Sequence, residues 1–342
     1  MKAIDLRSDT VTHPTPSMRR AMFEAEVGDD VFMEDPTVRR LERMAAEAMG
    51  KEAALFVASG TMGNLVAVLA QTQRGDRVAV GSEAHVYYYE GDGQRRLAGV
   101  ELVPLPNDDR GGLALVLVKE ALEAAGPPAT LLCLENTHNR CGGAVLTAAG
   151  TAALAGVARS HGARVHLDGA RIFNAAVALG VPAAELAAPA DSVTFCFSKG
   201  LSAPVGSILN GSADFIGRAR QVRRMVGGAM RQVGVIAAAG IVSLETMVGR
   251  LAQDHENARL LAEGLATLPG IRLDPASVQT NIVAFELEGW EPPDFLAALK
   301  EAGVLAVPFG PHRIRMVTHN DVSREDIEKA LERIRTVCVA RV

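Results

Sequence analysis

The chain has 342 residues, of which 48% are hydrophobic, 22% charged and only 4% aromatic. That balance argues against a disordered chain and suits one large domain with a smaller one packed on it. A net charge of −5 without long basic runs argues against a nucleic-acid partner, and no window of about 18 uninterrupted apolar residues points to a membrane span.

The first 30 residues, beginning "MKAIDLRSDTVTHPTP", carry two Thr-Pro-like breakers, little periodicity and no apolar leader core. They read as a segment lying across other parts of the molecule. From about residue 50 to 212, short apolar runs alternate with helical patterns, the sign of a mostly parallel sheet covered by helices. The expected strands are 53–59, 76–81, 100–105, 130–137, 163–168, 192–198 and 205–211, with helices such as 61–73, 147–160 and 171–179 between them. Near-continuous Val, Leu and Phe suits strands buried on both faces. The stretch 213–266 reads as helix, broken at Gly227-Gly228. Strand 281–288, helix 293–302, strand 313–319 and an amphipathic helix capped by Ser323 with Asp326 then form a compact α+β tail. The expected division is an N-terminal segment 1–30, a large α/β domain 31–266 and a small domain 267–342.

In an open parallel sheet, ligands collect beyond the carboxyl ends of the strands. The run 53–59 ends in Ser59-Gly60-Thr61, a small-residue turn into a helix whose free N–H groups suit a phosphate, or simply a tight helix cap. It lacks the Gly-Lys-Ser/Thr of a P-loop, and no GxGxxG follows the first strand. Asp168 ends one run and Lys199 another; alone, Asp168 reads as a local salt bridge with Arg171 and Lys199 as a snorkelling lysine. On neighbouring strands they would share one rim. A carboxylate that keeps a pyridine nitrogen protonated and an amine that forms a Schiff base are what pyridoxal phosphate requires. His85 and His138 follow two further strands, with Asn139 beside the latter. His138 with Cys141 lacks a second pair to complete a metal set, so no metal site is expected. The remaining histidines, His166 among them, read as structural or surface groups. Cys133, Cys141, Cys196 and Cys338 show no CxxC spacing and read as reduced thiols of a cytoplasmic protein.

Together "DLRSDTVT" (5–12), "GDDVFMEDPTV" (28–38), "ASGTMGN" (58–64), "SEAHVYYYE" with His85 and Glu90, "LENTHN" (134–139), "HLDGARIFNA" (166–175), "SKGLSAPVGS" (198–207), "MRQVG" (230–234) and "RMVTH" (315–319) resemble the PLP-dependent threonine aldolases that act on L-amino acids. The resemblance covers nearly the whole chain. It implies a fold type I architecture, with a mostly parallel seven-stranded sheet and helices on both faces. It also implies roles. Lys199 is the Schiff-base lysine, Asp168 the partner of the pyridine nitrogen and His85 the ring stacked on the cofactor. Gly60 and Thr61 bind phosphate, Ser8, Arg171 and Arg315 hold the substrate carboxylate, and Arg231 reaches a phosphate across a subunit boundary of a homotetramer. The loop "YYYEGDGQRR" (87–96) is bulkier than the family pattern, which bears on the substrate side of the pocket.

The implied reaction is retro-aldol cleavage of L-threonine or L-allo-threonine to glycine and an aldehyde. His85, His138, or a water held by a histidine or by Glu90 would take the β-hydroxyl proton. The competing readings are a phenylserine aldolase, a β-eliminating amino-acid lyase and a non-catalytic protein of the same fold.

Overall fold

The structure is a computed structural model and describes residues 3–123 and 129–339. Seven strands make the central sheet: β1 (Ala53–Val57), β2 (Arg77–Gly81), β3 (Glu101–Leu105), β4 (Ala129–Glu135), β5 (Arg164–Asp168), β6 (Ser192–Cys196) and β7 (Ser207–Gly211). Each overlaps its expected run to within two residues at either end. Their spatial order is β1-β7-β6-β5-β4-β2-β3, and only β7 runs antiparallel to its neighbours.

That reversal was not legible as a hairpin because its connection is long and irregular. Phe197 donates to the Gly206 carbonyl (3.0 Å) and Ala203 to that of Phe197 (3.0 Å), folding the segment back on itself. Ser202 (φ 61°) and Gly206 (φ 114°) take the left-handed backbone that the turn needs. A parallel return would need a crossover of about a dozen residues or more.

Along β1, Leu55 and Val57 pack with helices α3 (Gly60–Gln71) and α6 (Ala213–Met225), while Ala54 and Phe56 join the main core with α2 (Pro36–Met49). Alternation thus sends successive side chains to opposite layers, and helices cover both faces. The main core also takes in α4 (Ala148–Ser160), α5 (Ile172–Leu179) and α7 (Gly234–Val242). The helical stretch 213–266 holds three α-helices, with the expected break at Gly227 and one more. It breaks between α6 and α7, where Gly227 has φ 79°, and again before α8 (Leu251–Leu265).

A second core centres on a small antiparallel sheet of β8 (Ile271–Arg272), β9 (Ile282–Leu287), β10 (Val307–Pro308) and β11 (Arg313–Val317), in the order β10-β11-β9-β8. Helices α9 (Pro292–Glu301) and α10 (Arg324–Val339) pack against it, as do Ala258–Leu265 of α8. Ser323 and Asp326 exchange the reciprocal bonds of a helix cap, at 3.0 and 3.1 Å.

The N-terminal segment holds an unexpected helix, α1 (Pro16–Glu24), whose Thr15 hydroxyl accepts from Met18 N–H at 3.2 Å. Thr before Pro at the first helical position is a start signal, and Met18 anchors α1 in the main core against α7. Ahead of it, Ile4 and Asp5 pair in parallel with Val304 and Leu305, and Leu6 accepts from Val317 N–H at 2.8 Å. One short segment therefore touches both cores. No single described helix is long and apolar enough to cross a membrane.

Candidate active site

β5 and β6 lie side by side in parallel, with Asp168 opposite Thr194, so Asp168 and Lys199 emerge on the same rim. The Lys199 ammonium makes no hydrogen bond or ion pair with any described residue. Its carbonyl accepts from Thr12 Oγ1 (3.1 Å) and Ser202 N–H (2.8 Å), which fixes the backbone beneath the amine. Gly200 permits a close approach there, since a Cβ would lie 3.0 Å from Leu251 Cδ2. Asp168 is 3% exposed, yet no cation pairs with it. Among the described residues its carboxylate oxygens accept only from Asn64 Nδ2 (2.9 Å) and Ala170 N–H (3.1 Å). A buried carboxylate so placed is completed by a cationic donor.

His85 stands on the same rim. Its N–H donates to Glu135 Oε2 (2.6 Å), and its Nδ1 lies 3.0 Å from Glu90 Oε1. Burial pushes the imidazole pKa down, but the Glu90 hydrogen bond and the charges of Asp168, Glu90 and Glu135 raise it above the ordinary histidine value. The bulky loop walls this side. The Tyr89 ring lies 4.9 Å from His85, Tyr88 meets Tyr89 edge-on, and Arg140 stacks 3.7 Å over Tyr88 while donating to Glu83.

Arg171 is buried, and Asp9 from the N-terminal segment grips it with two 2.7 Å bonds, to Nε and Nη2. Asn281 of β9's approach adds a 3.2 Å bond to Asp9. Burial favours a neutral Asp9, but Arg171 and then Lys199 outweigh it and hold the carboxyl well below the usual range. The fork of Arg171 is therefore shared, leaving Nη1 without a hydrogen-bond partner among the described residues. Arg315 comes from the opposite side, on β11. It donates to Asn139 Oδ1 (2.9 Å) and the Arg7 carbonyl (3.1 Å), while its buried Nε has no partner among the described residues. Burial and the charge of Arg171 push its pKa down to about 10. A guanidinium in this state, paired with no carboxylate, favours an anionic ligand. Ser8 is held locally, its hydroxyl oxygen accepting from Thr10 N–H at 3.2 Å.

At the other end, Ser59 Oγ caps Met62 N–H (3.1 Å), and the N–H groups of Gly60 and Thr61 find no described acceptor. A Cβ at Gly60 would sit 2.9 Å from Cys196 Sγ, so this turn is pressed against the end of β6. Arg231 stands apart, exposed and paired with Asp29 at 3.3 Å. His138 makes no side-chain hydrogen bond to this cluster among the described residues. It is 3% exposed, packed against Gly111, and neither ring nitrogen has a hydrogen-bond partner among the described residues. Its main-chain N–H donates to the Ala144 carbonyl at 2.9 Å.

Beyond the expected residues, Asp9, Asn64 and Glu135 bond to Arg171, Asp168 and His85, and His166 bonds to Asn64. An unpaired amine, a buried carboxylate awaiting a cationic donor and free helix-terminal N–H groups at the Gly60 turn together fit pyridoxal phosphate.

A family model for beta-eliminating lyases matches residues 5–288. A probable low-specificity L-threonine aldolase of Arabidopsis thaliana is 45% identical, the match covering 97% of this chain and 96% of that one. The low specificity L-threonine aldolase of Escherichia coli K12 is 43% identical, over 95% and 96%. The fold matches that of a putative L-allo-threonine aldolase from Listeria monocytogenes with a TM-score of 0.81 at 21% identity, covering 97% and 96%. The chain belongs to the beta-eliminating lyase family, in its threonine aldolase branch.

Proposed function

We propose that the protein cleaves L-threonine, L-allo-threonine and other β-hydroxy-α-amino acids to glycine and an aldehyde with pyridoxal 5'-phosphate, as an aldehyde-lyase. The observation that carries this reading is the pairing on one rim of a partner-free Lys199 amine with a buried, cation-free Asp168 carboxylate. The names of its close relatives support it.

Lys199 would hold the cofactor, Asp168 its ring nitrogen, His85 its face, and Gly60 and Thr61 its phosphate. When bound, the cofactor supplies the electron-accepting ring that takes up the pair released as Cα–Cβ breaks. Arg171 Nη1 and Arg315 Nε, with Ser8, bind the substrate carboxylate and fix rotation about Cα, so that this bond is the one aligned for cleavage. Glu90 occupies Nδ1 of His85, leaving Nε2 to take the β-hydroxyl proton directly or through one water. The raised His85 pKa makes it a stronger base, active on the alkaline side of the ordinary histidine value.

Purified protein given L-threonine with the cofactor should yield glycine and acetaldehyde. 2-Oxobutanoate and ammonia would identify a β-eliminating lyase instead. Lys199→Ala should abolish both turnover and the cofactor's visible absorbance, and full turnover in that variant would overturn the reading.

The protein is further proposed to be a cytoplasmic homotetramer in which Arg231 reaches a partner's phosphate. Exposed Phe23, Phe32 and Met225 support an interface near the N-terminal segment. A monomer in light scattering would remove this part alone. The two cores support a large and a small domain in the division 1–30, 31–266 and 267–342, with α8, which ends just before the second boundary, giving Leu251 to the first core and Ala258–Leu265 to the second.

A further inference from the structure

We propose that Asn64 is a positioning residue that holds Asp168 and the Glu90–His85 pair in register, and that His166 behind it sets which way its amide faces. The inference rests on the roles given above to Asp168 and His85.

The Asn64 Nδ2 sits between two buried carboxylates, 2.9 Å from Asp168 Oδ2 and 3.2 Å from Glu90 Oε2. One amide nitrogen thus joins the acid assigned to the cofactor nitrogen and the acid that orients His85. Flipping the amide would set its oxygen against two carboxylates, so its orientation must be enforced. His166 enforces it: Nε2 lies 3.1 Å from Asn64 Oδ1, an atom that can only accept, so Nε2 carries the proton. Nδ1 then accepts from the Ser192 hydroxyl at 2.8 Å, and Ser192 Oγ accepts from Gln71 Nε2 at 2.9 Å. Gln71's second hydrogen goes to the Ala67 carbonyl at 3.0 Å, which closes the chain on the α3 backbone. Every member is buried, and each donor meets one acceptor, so a single arrangement of protons satisfies the network. Burial holds His166 down to about 4, so it stays neutral at working pH.

The charged groups that face His85 are Glu90 from its own loop, Glu135 from β4 and Asp168 from β5. Removing the amide donor turns the whole Glu90 charge on His85 and frees Asp168 to rotate. The test is a series of cofactor-loaded variants, read by the PLP dissociation constant and by the pH profile of kcat/KM. Asn64→Leu keeps the shape and loses both bonds. His166→Phe keeps a ring and loses the donor, whereas His166→Gln loses the ring and keeps a donor to Asn64. N64L and H166F should weaken PLP about tenfold and move the rising limb about half a unit or more to higher pH. H166Q should stay within about twofold of the parent. A role in packing alone predicts the reverse order, with H166F better than H166Q. That order, or unchanged PLP binding and limb in N64L and H166F, overturns the proposal. Should N64L not fold, the His166 pair decides. Parent enzyme that binds PLP but makes no glycine would strike the proposed function, while the affinity series would still judge Asn64.

Discussion

Asp9 and Asp5 lie four residues apart in the same strap, and each grips an arginine, which makes them a matched experiment. Both pairs are bidentate, but Asp9–Arg171 is buried, whereas Asp5–Arg7, at 2.9 and 2.6 Å, leaves half of the arginine side chain in water. Asp9→Asn removes one charge without changing shape and leaves Arg171 buried, near Arg315, with no carboxylate. Breaking a buried pair in this way costs about 3–5 kcal/mol, while an exposed pair contributes about 0–1 kcal/mol. With about 2.1 cal/mol/K of unfolding entropy per residue, Asp9→Asn should lower Tm by about 4–7 °C. Asp5→Asn should lower it by about 1 °C or less. The assay is thermal unfolding of both variants at pH 7 and equal protein and PLP concentrations. A Tm for D9N no lower than that of D5N would refute the claim that the strap is locked by this pair. Acid tests it too. Arg171 holds the Asp9 carboxyl well below its unfolded value, so its contribution is fully present above about 3.9 and is lost only as pH falls below that.

Arg315→Leu should lower kcat/KM for L-threonine by about 30-fold or more, while PLP absorbance persists; an unchanged ratio would remove it from the carboxylate clamp. His166 predicts the acid behaviour of stability. The unfolded state binds its proton near 6.5 and the folded state only near about 4, so stability falls as pH drops through that window. His166→Gln should flatten the slope by up to about 1.4 kcal/mol per pH unit, read from urea midpoints, and an unaltered slope would place the proton elsewhere.

The sheet was legible because buried strands advertise themselves as β-branched and aromatic runs, and Asp168 and Lys199 because each follows such a run. The Asn64 relay was also written in the sequence, but in two different periods. His166 and Asp168 are two apart on a strand and so face one side, while Asn64 and Gln71 are two turns apart on α3. Joining them requires knowing that α3 lies over β5 and β6, which local pattern does not encode. The same limit applies to Asp9, whose partners are far away in the chain. His138 illustrates the opposite difficulty. Beyond a strand's last residue alternation stops, and only the fold reveals that the ring is buried.

The pairing of Ile4 and Asp5 with Val304 and Leu305 bears on how the protein is made. Synthesis at about 5–20 residues per second means the strap emerges roughly 15–60 s before the strand edge that receives it. Through that interval Ile4 and Asp5 have no strand to pair with. Arg171 and the Lys199 carbonyl, which Asp9 and Thr12 bind, are in place well before that first strand can pair. Completion of the catalytic pocket is thus among the last events of biosynthesis, and a ribosome stalled before residue 304 would carry a formed sheet with the strap held at Asp9, Thr12 and Met18 but its first strand unpaired.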